Sequence, residues 1–152
     1  MRVVVQRVAS ASVSIDGRIA GQIGPGLLLL LGIAPTDTEA DGEWLAQKIA
    51  KLRIFSDDTG EMARNVAEIA SGGVLVISQF TLFASTRKGT RPSFHAAAPP
   101  GVARPLYEHF LAQLESALGG RRVERGEFGA MMHVALVNDG PVTLIIDTRS
   151  RE

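Results

Sequence analysis

The sequence predicts a single α+β domain: a mostly antiparallel, curled or barrel-like β-sheet with two principal helices. Three observations predict it. The first third consists of apolar or alternating stretches rich in β-branched residues, separated by Asp16-Gly17 and Gly24-Pro25-Gly26. Two stretches carry apolar residues at helical spacing, one beginning near Thr38 and one over 102–118. The chain then closes with two short apolar runs, 131–137 and 142–146, on either side of Asn138-Asp139-Gly140-Pro141. At 152 residues the length fits one domain. Its expected extent is 1–147, followed by a polar, frayed tail at 148–152.

Taken in order, residues 3–8 are strand formers and 9–15 continue them. Ala11, Val13 and Ile15 point one way, Ser10, Ser12 and Ser14 the other. Asp16-Gly17 is a hairpin signal, so 18–23 should return antiparallel. Gly24-Pro25-Gly26 turns the chain again, and 27–33 reads as a fully buried strand. The first third is therefore expected to be a β-meander. Thr38 with Asp41 three residues on marks a helix start. Trp44, Leu45, Ile49 and Leu52 follow at helical spacing, with Trp44 as a core anchor. Gly42 costs that helix about 1 kcal/mol relative to Ala.

Residues 54–60 form a short extended piece and a turn. Asp57 and Asp58 have no further ligands at calcium-loop spacing and read as a solvated turn. Residues 65–70 give no clear pattern. Gly72-Gly73 precedes a central strand over 74–80. The polar stretch 84–101, rich in Pro and Gly, is long for a compact domain, and such loops are usually functional or disordered. Ala103, Leu106, Tyr107, Phe110, Leu114 and Ala117 form the stripe of the second helix, with Tyr107 half-buried and His109 exposed. Pro105 fits that helix only in its first turn, and Gly119-Gly120 ends it. Residues 121–124 are a short strand candidate. The two final apolar runs read as a hairpin turning at Asn138-Asp139-Gly140-Pro141, residues that each favour chain reversal. A Gly-Pro bond can also be cis at modest cost.

Composition limits the function classes. Lys plus Arg and Asp plus Glu both number 16, so the net charge is zero. This argues against nucleic-acid binding through bulk charge but leaves room for a local basic patch. The absence of cysteine excludes disulfides, thiol nucleophiles and thiolate metal sites. No signal segment and no apolar run of membrane-spanning length is present, so a cytoplasmic globular protein is expected. His95, His109 and His133 are not spaced as zinc ligands, and no metal or cofactor is expected. His133 shares a strand face with Met131, Ala135 and Val137 and reads as a packed histidine. Nucleotide-binding and hydrolase signatures are absent from the sequence.

Three clusters remain that can carry chemistry. Ser78, Gln79 and Thr81 crowd polar groups around Phe80 at the end of an apolar strand, where functional side chains reach solvent from a rigid scaffold. A hydrogen-bonded polar strand end is the plainer alternative. Arg87, Lys88 and Arg91 surround Gly89 and precede Phe94, which suits phosphate contact beside a stacking surface; a solvated loop is the alternative. Asn138, Gly140, Pro141 and Thr143 form the third cluster, with a simple turn as its alternative.

Together the clusters resemble the D-aminoacyl-tRNA deacylases of the bacterial and eukaryotic type. The resemblance lies in Ser-Gln-Phe-Thr-Leu at 78–82, Arg-Pro-Ser-Phe at 91–94 and Asn-Asp-Gly-Pro-Val-Thr at 138–143. Gln6-Arg7-Val8, Ala11-Ser12-Val13, Gly26-Leu27-Leu28 and Arg53-Ile54-Phe55-Ser56-Asp57 agree in order. The resemblance implies hydrolysis of the ester between a D-amino acid and tRNA by a homodimer whose active site lies at the subunit interface. It implies a cis bond between Gly140 and Pro141, whose carbonyls reach into the partner's site, hold the substrate amino group and leave no room for an L side chain. Glycyl-tRNA should then also be accepted. It places Ser78, Gln79, Phe80 and Thr81 at the reacting ester and the tRNA 3′-terminal adenosine in the site.

An aminoacyl ester beside a ribose hydroxyl is already activated, so the chief requirement is a preorganised oxyanion donor. Backbone N–H groups near Phe80 and Thr81 are the candidates. Thr81 has no evident base near it in sequence, so water attack assisted by the tRNA 2′-hydroxyl is expected. Phe80 and Phe94 are candidates for the adenosine pocket, Arg91 and Lys88 for tRNA contact, and Arg7 for bracing the turn. Arg121, Arg122 and Arg125 read as solvated surface, with acceptor-stem contact the alternative. Two rival readings stay open: a non-catalytic RNA 3′-end-binding module, and a Ser/Thr esterase acting on a small-molecule ester.

Overall fold

In the computed structural model, which describes residues 1–151, the sheet is built on one long strand, β1 (Arg2–Ile15). Its buried positions run Val3, Val5, then Val8, then Ala11 and Val13. The period slips twice, so β1 serves two cores. Val3 and Val5 join a cluster under the helices, whereas Val8, Ala11 and Val13 join a smaller one inside the curl of the sheet. β2 (Arg18–Ile23) returns antiparallel after Asp16 and Gly17, both at positive φ (49° and 75°). Such a pair matches the twist of a two-residue hairpin.

β3 (Gly26–Gly32) explains its unbroken aliphatic run by burial on both faces. Leu27, Leu29 and Leu31 face the larger core, and Leu28 faces the smaller one. β6 (Gly73–Ser78) divides likewise, with Val74 and Val76 on one side and Leu75 and Ile77 on the other. The connectivity is not a meander. β3 pairs with the N-terminal half of β1, alongside β2 on its C-terminal half, because β1 is long enough to carry both. β3 and β6 are parallel, as are β6 and β7 (Glu124–Arg125). The mixed sheet curls nearly closed. A Cβ on Gly21 of β2 would lie 2.9 Å from the Arg125 carbonyl oxygen of β7.

The helices cover the larger core. α1 (Glu39–Ala50) starts at a Thr38/Asp41 capping box. Gly42 lets α2 (Pro100–Ala117) approach, since a Cβ there would lie 2.5 Å from Gln113 Oε1. Trp44 is at the core margin rather than its anchor, with Lys48 and Arg151 over its ring. Pro105 lies inside α2, beyond the first turn; the carbonyl its missing N–H would have met belongs to exposed Gly101. Tyr107 is fully buried, and its hydroxyl donates to the Val76 carbonyl at 3.1 Å. Burial pushes that phenol far above its ordinary range.

The small hairpin β4 (Phe55–Ser56) and β5 (Met62–Arg64) turns at Asp57. Its carboxylate accepts from Thr59 Oγ1 and from the Thr59 and Glu61 N–H groups, bonds that hold it below the usual carboxylate range. Residues 65–70 contain a one-turn 3₁₀ helix, Val66–Glu68, closed by an Asn65/Glu68 capping box.

Two expectations fail at the C-terminal end. The final hairpin is absent: β8 (His133–Asp147) is one strand whose two halves both pair with β1. The tail is docked rather than frayed as far as Arg151, with Glu152 outside the described residues. Thr148 is buried, accepts from the Met1 amino group at 2.5 Å and donates its N–H to the Met1 carbonyl at 2.9 Å. Arg149 bonds Thr36 and Arg151 pairs with Asp41 at 2.9 Å.

Candidate active site

β6 ends at Ser78, two residues earlier than its apolar pattern suggests, because the chain turns there. Gln79 donates its N–H to the Leu31 carbonyl at 2.7 Å and starts a one-turn 3₁₀ helix, Phe80–Phe83. Gly32 gives this turn its seat; a Cβ there would stand 3.0 Å from the Gln79 carbonyl and 3.1 Å from Leu82 and Phe83. Arg2 clamps the turn by donating to the Leu82 carbonyl at 2.8 Å and lying over the Phe83 ring. The Leu82 N–H is spent on Gln79 and the Ala84 N–H on Thr81. Among the described residues those of Phe80 and Thr81 have no acceptor, as at any helix start.

Thr81 Oγ1 accepts from the Gln79 side-chain amide. Among the described residues it bonds neither a carboxylate nor an imidazole, so the geometry supplies no base to make it a nucleophile. Exposed Phe80 meets Phe94 edge-on, with ring centroids 5.1 Å apart. Both rings, with Ser78 and Gln79, form one wall of a cleft of about 640 Å³. Leu31, Ile33 and Tyr107 line it too, as do Met131, Met132 and Val134. The contribution of these last three was missed in the sequence, where Met131 and Val134 read only as strand positions. No group of acidic or histidine side chains suited to a metal occurs among the described residues.

The third cluster lies elsewhere on the chain. Gln6 faces Thr143 and Val8 faces Asn138, so two steps along β1 oppose five along β8 (8 − 6 = 2; 143 − 138 = 5). The four residues 139–142 oppose the single Arg7 and form a bulge, and the Gly140–Pro141 bond in it is cis. Turn-forming residues serve this bulge as well as they would a hairpin. Arg7 braces it, with Nε 3.0 Å from the Asp139 carboxylate and 3.2 Å from the Asp139 carbonyl, and Nη1 2.5 Å from the Ile54 carbonyl. Asn138 Nδ2 donates to the Arg7 and Val142 carbonyls at 2.9 and 3.3 Å. Thr143 Oγ1 accepts from Gln6 at 3.2 Å. Gly140 and Pro141 themselves are exposed.

Thus Ser78, Gln79, Phe80, Thr81 and Phe94 come together, and Arg7, Asn138, Gly140, Pro141 and Thr143 form a second group. The ladder separates the two. Arg7 aligns with Leu27 and Val74, whereas Ser78 aligns with Leu31 and Val3. Four residues along the strands and three strands across put the groups roughly 20 Å apart within one chain. Lys88 and Arg91 are exposed in the loop that leads to Phe94. Arg121 is neither solvated surface nor a free cation, since it donates to the carbonyls of Val66, Ala67 and Gly72. Arg125 pairs with Glu115 at 2.7 Å.

The nearly closed mixed sheet with its two helices has the fold of a solved structure titled as a structural analysis of a probable eukaryotic D-amino acid tRNA deacylase, with a TM-score of 0.83 at 16% identity over 95% of this chain and 97% of that one. A second, titled c-Myc DNA Unwinding Element Binding Protein, matches with a TM-score of 0.89 at 40% identity, over 97% of this chain and 98% of that one. The family model described as D-Tyr-tRNA(Tyr) deacylase matches residues 4–147, and the chain belongs to that family. Curated relatives named D-aminoacyl-tRNA deacylase are 64% identical in Opitutus terrae and 60% identical in Akkermansia muciniphila, each over the full length of both chains.

Proposed function

We propose that the protein hydrolyses the ester linking a D-amino acid to the 3′-terminal adenosine of tRNA, releasing tRNA and the free D-amino acid. Family membership supports the reaction class. The observation that supports the finer reading is the turn after Ser78, where the Phe80 and Thr81 N–H groups have no protein acceptor among the described residues and Phe80 lines a cleft of about 640 Å³. Adenosine lies against Phe80 and Phe94, with its ester carbonyl at the Phe80 and Thr81 N–H groups. A water attacks that carbonyl, helped by the ribose 2′-hydroxyl. The N–H pair holds the oxyanion, and the C–O bond to the ribose breaks as its oxygen takes a proton. Ser78, Gln79 and Thr81 position the ester and its water. No cofactor enters these steps.

In this reading chiral selection comes from the bulge of a second copy. Gly140 and Pro141 are exposed and roughly 20 Å from their own chain's Phe80–Thr81 turn, so they serve the cleft of a partner in a homodimer. β8 and the residue two before it offer the surface for such pairing: among the described residues β8 pairs only with β1, Val137 and Ile145 on it are 59% and 72% exposed, and Met131 just ahead of it is 88% exposed. The Gly140 and Pro141 carbonyls receive the substrate amino group and exclude an L side chain. Glycine has no side chain to exclude, so glycyl-tRNA is hydrolysed too. Among the described residues no helix is long and apolar enough to cross a membrane. The place of action in this reading is the cytoplasm, because aminoacyl-tRNA is used there. Deacylation of D-tyrosyl-, L-tyrosyl- and glycyl-tRNA by the purified protein tests this. Release from the D and glycyl esters with the L ester spared is expected. Equal rates for both enantiomers contradict the filter, and hydrolysis of none favours an RNA-end-binding module.

A further inference from the structure

The loop carrying Arg87, Lys88 and Arg91 has no part in the steps above, yet its construction points to a ligand. Ser85 and Ser93 bond each other through both backbone N–H groups at 2.8 and 2.9 Å, closing residues 86–92 into an exposed tip. Gly89, at φ +87°, turns that tip. Within it lie three cations and no acid, and no carboxylate occurs between Glu68 and Glu108. A chain with 16 charges of each sign has thus gathered one sign at one place. Residues that merely solvate a loop need no common sign. In the other arginine cluster two of the three cations are spent internally, Arg121 on three carbonyls and Arg125 on Glu115, with Arg122 exposed beside Glu124. Among the described residues, none of Arg87, Lys88 and Arg91 pairs with a carboxylate.

Position supplies the second argument. Ser93 leads directly into Phe94, which stands against Phe80 in the cleft wall. The basic tip is therefore rooted at the lip of the cleft. We propose that it is a phosphate-binding arm for the single-stranded 3′ end of the RNA, contacting the phosphates that precede the terminal nucleoside through Arg87, Lys88 and Arg91. The identity of the ligand rests on the deacylase reading; the arm itself rests on charge and place. RNA led out of the cleft over that lip has its phosphates beside the three cations. Phosphate contacts of this kind position a nucleic acid without reading its sequence.

The test uses a fluorescein-labelled ACCA RNA oligonucleotide and, separately, D-tyrosyl-adenosine, an ester with no phosphate. Neutralising three phosphates of a single strand gives a slope of about −2 in log affinity against log salt, or roughly 18-fold weaker binding from 50 to 200 mM. The wild type should show such a slope. The Arg87→Ala/Lys88→Ala/Arg91→Ala variant should bind the oligonucleotide roughly 10-fold or more weakly at 50 mM salt and lose most of the slope. Arg18→Ala, which removes an exposed cation on β2, should keep it. Hydrolysis of D-tyrosyl-adenosine should fall less than oligonucleotide affinity. An unchanged affinity and slope in the triple variant overturns the arm, as does an equal loss on both probes, which would make the loop a wall of the cleft. Failure of the wild type to hydrolyse D-tyrosyl-adenosine would count against the deacylase reading, while the binding comparison would still decide the arm.

Discussion

At the scale of residues, the Phe80 and Thr81 backbones and the Thr81 hydroxyl have separate parts in the proposed reaction. That hydroxyl is engaged by the Gln79 amide and has no base. Thr81→Ala should therefore keep kcat/KM on D-tyrosyl-tRNA within about tenfold of wild type, whereas loss of an oxyanion donor costs about 10²–10³. Phe80 is the first residue of its helical turn, a place where proline is accepted. Phe80→Pro removes the N–H and Phe80→Ala keeps it, so the first should be slower by about 100-fold. Equal rates, or complete loss in a folded Thr81→Ala, would contradict the backbone assignment. Arg7 makes a separate prediction. Arg7→Ala removes the brace on Asp139 and loosens the bulge, and if the bulge is the proposed filter, its displacement by about 1 Å should lower the ratio of D to L hydrolysis by roughly tenfold or more. Paired kinetics on both enantiomers measure that ratio. The strand-end cluster and the bulge sequence were legible because their residue types break local apolar patterns. Arg121 was not, since three carbonyl acceptors in a distant loop leave no mark on the residues around it.

At the scale of elements, the parallel start of β3 and β6 depends on two glycines face to face. A Cβ on Gly26 would lie 1.9 Å from the Gly73 carbonyl oxygen, a backbone atom with nowhere to move. Gly26→Ala should destabilise the fold by about 3 kcal/mol or more, read as a drop in Tm. A change within experimental error would show that the strands can separate there without cost. Element type was readable wherever burial left a period. The two-faced aliphatic run of β3, the alternation of β1 and the capping box of α1 all followed from sequence. Partnership between strands was not readable. Nothing in residues 18–32 says that β2 and β3 share one edge of β1 in succession rather than pairing with each other. The same limit hid β8, because Asn, Asp, Gly and Pro favour a wide bulge on a continuous strand as readily as a hairpin turn. The docked tail escaped for a related reason: Thr148 and Arg151 look polar and terminal, and their partners Met1 and Asp41 are far away in sequence.

At the scale of the whole molecule, the donor turn and the bulge stand on opposite parts of the curled sheet. The cleft is lined by residues from β3, β6, α2 and β8 but not by the bulge of its own chain. In the proposed reading a site needing both would be completed by a second copy, and a twofold dimer would complete two such sites at once. Mixing two variants, each impaired in one half of the proposed site, tests this. Phe80→Pro removes the donor but keeps the bulge. A variant with Gly140→Ala and Pro141→Ala alters the bulge, where a Cβ at Gly140 would meet Asn138 Oδ1 at 2.7 Å, and keeps the donor turn. After denaturation and refolding together, half of the dimers are mixed and each carries one intact site, so about a quarter of wild-type D-tyrosyl-tRNA hydrolysis should return. Recovery to that level is the result the account predicts. A mixture no more active than its separate components would contradict a site built from two chains.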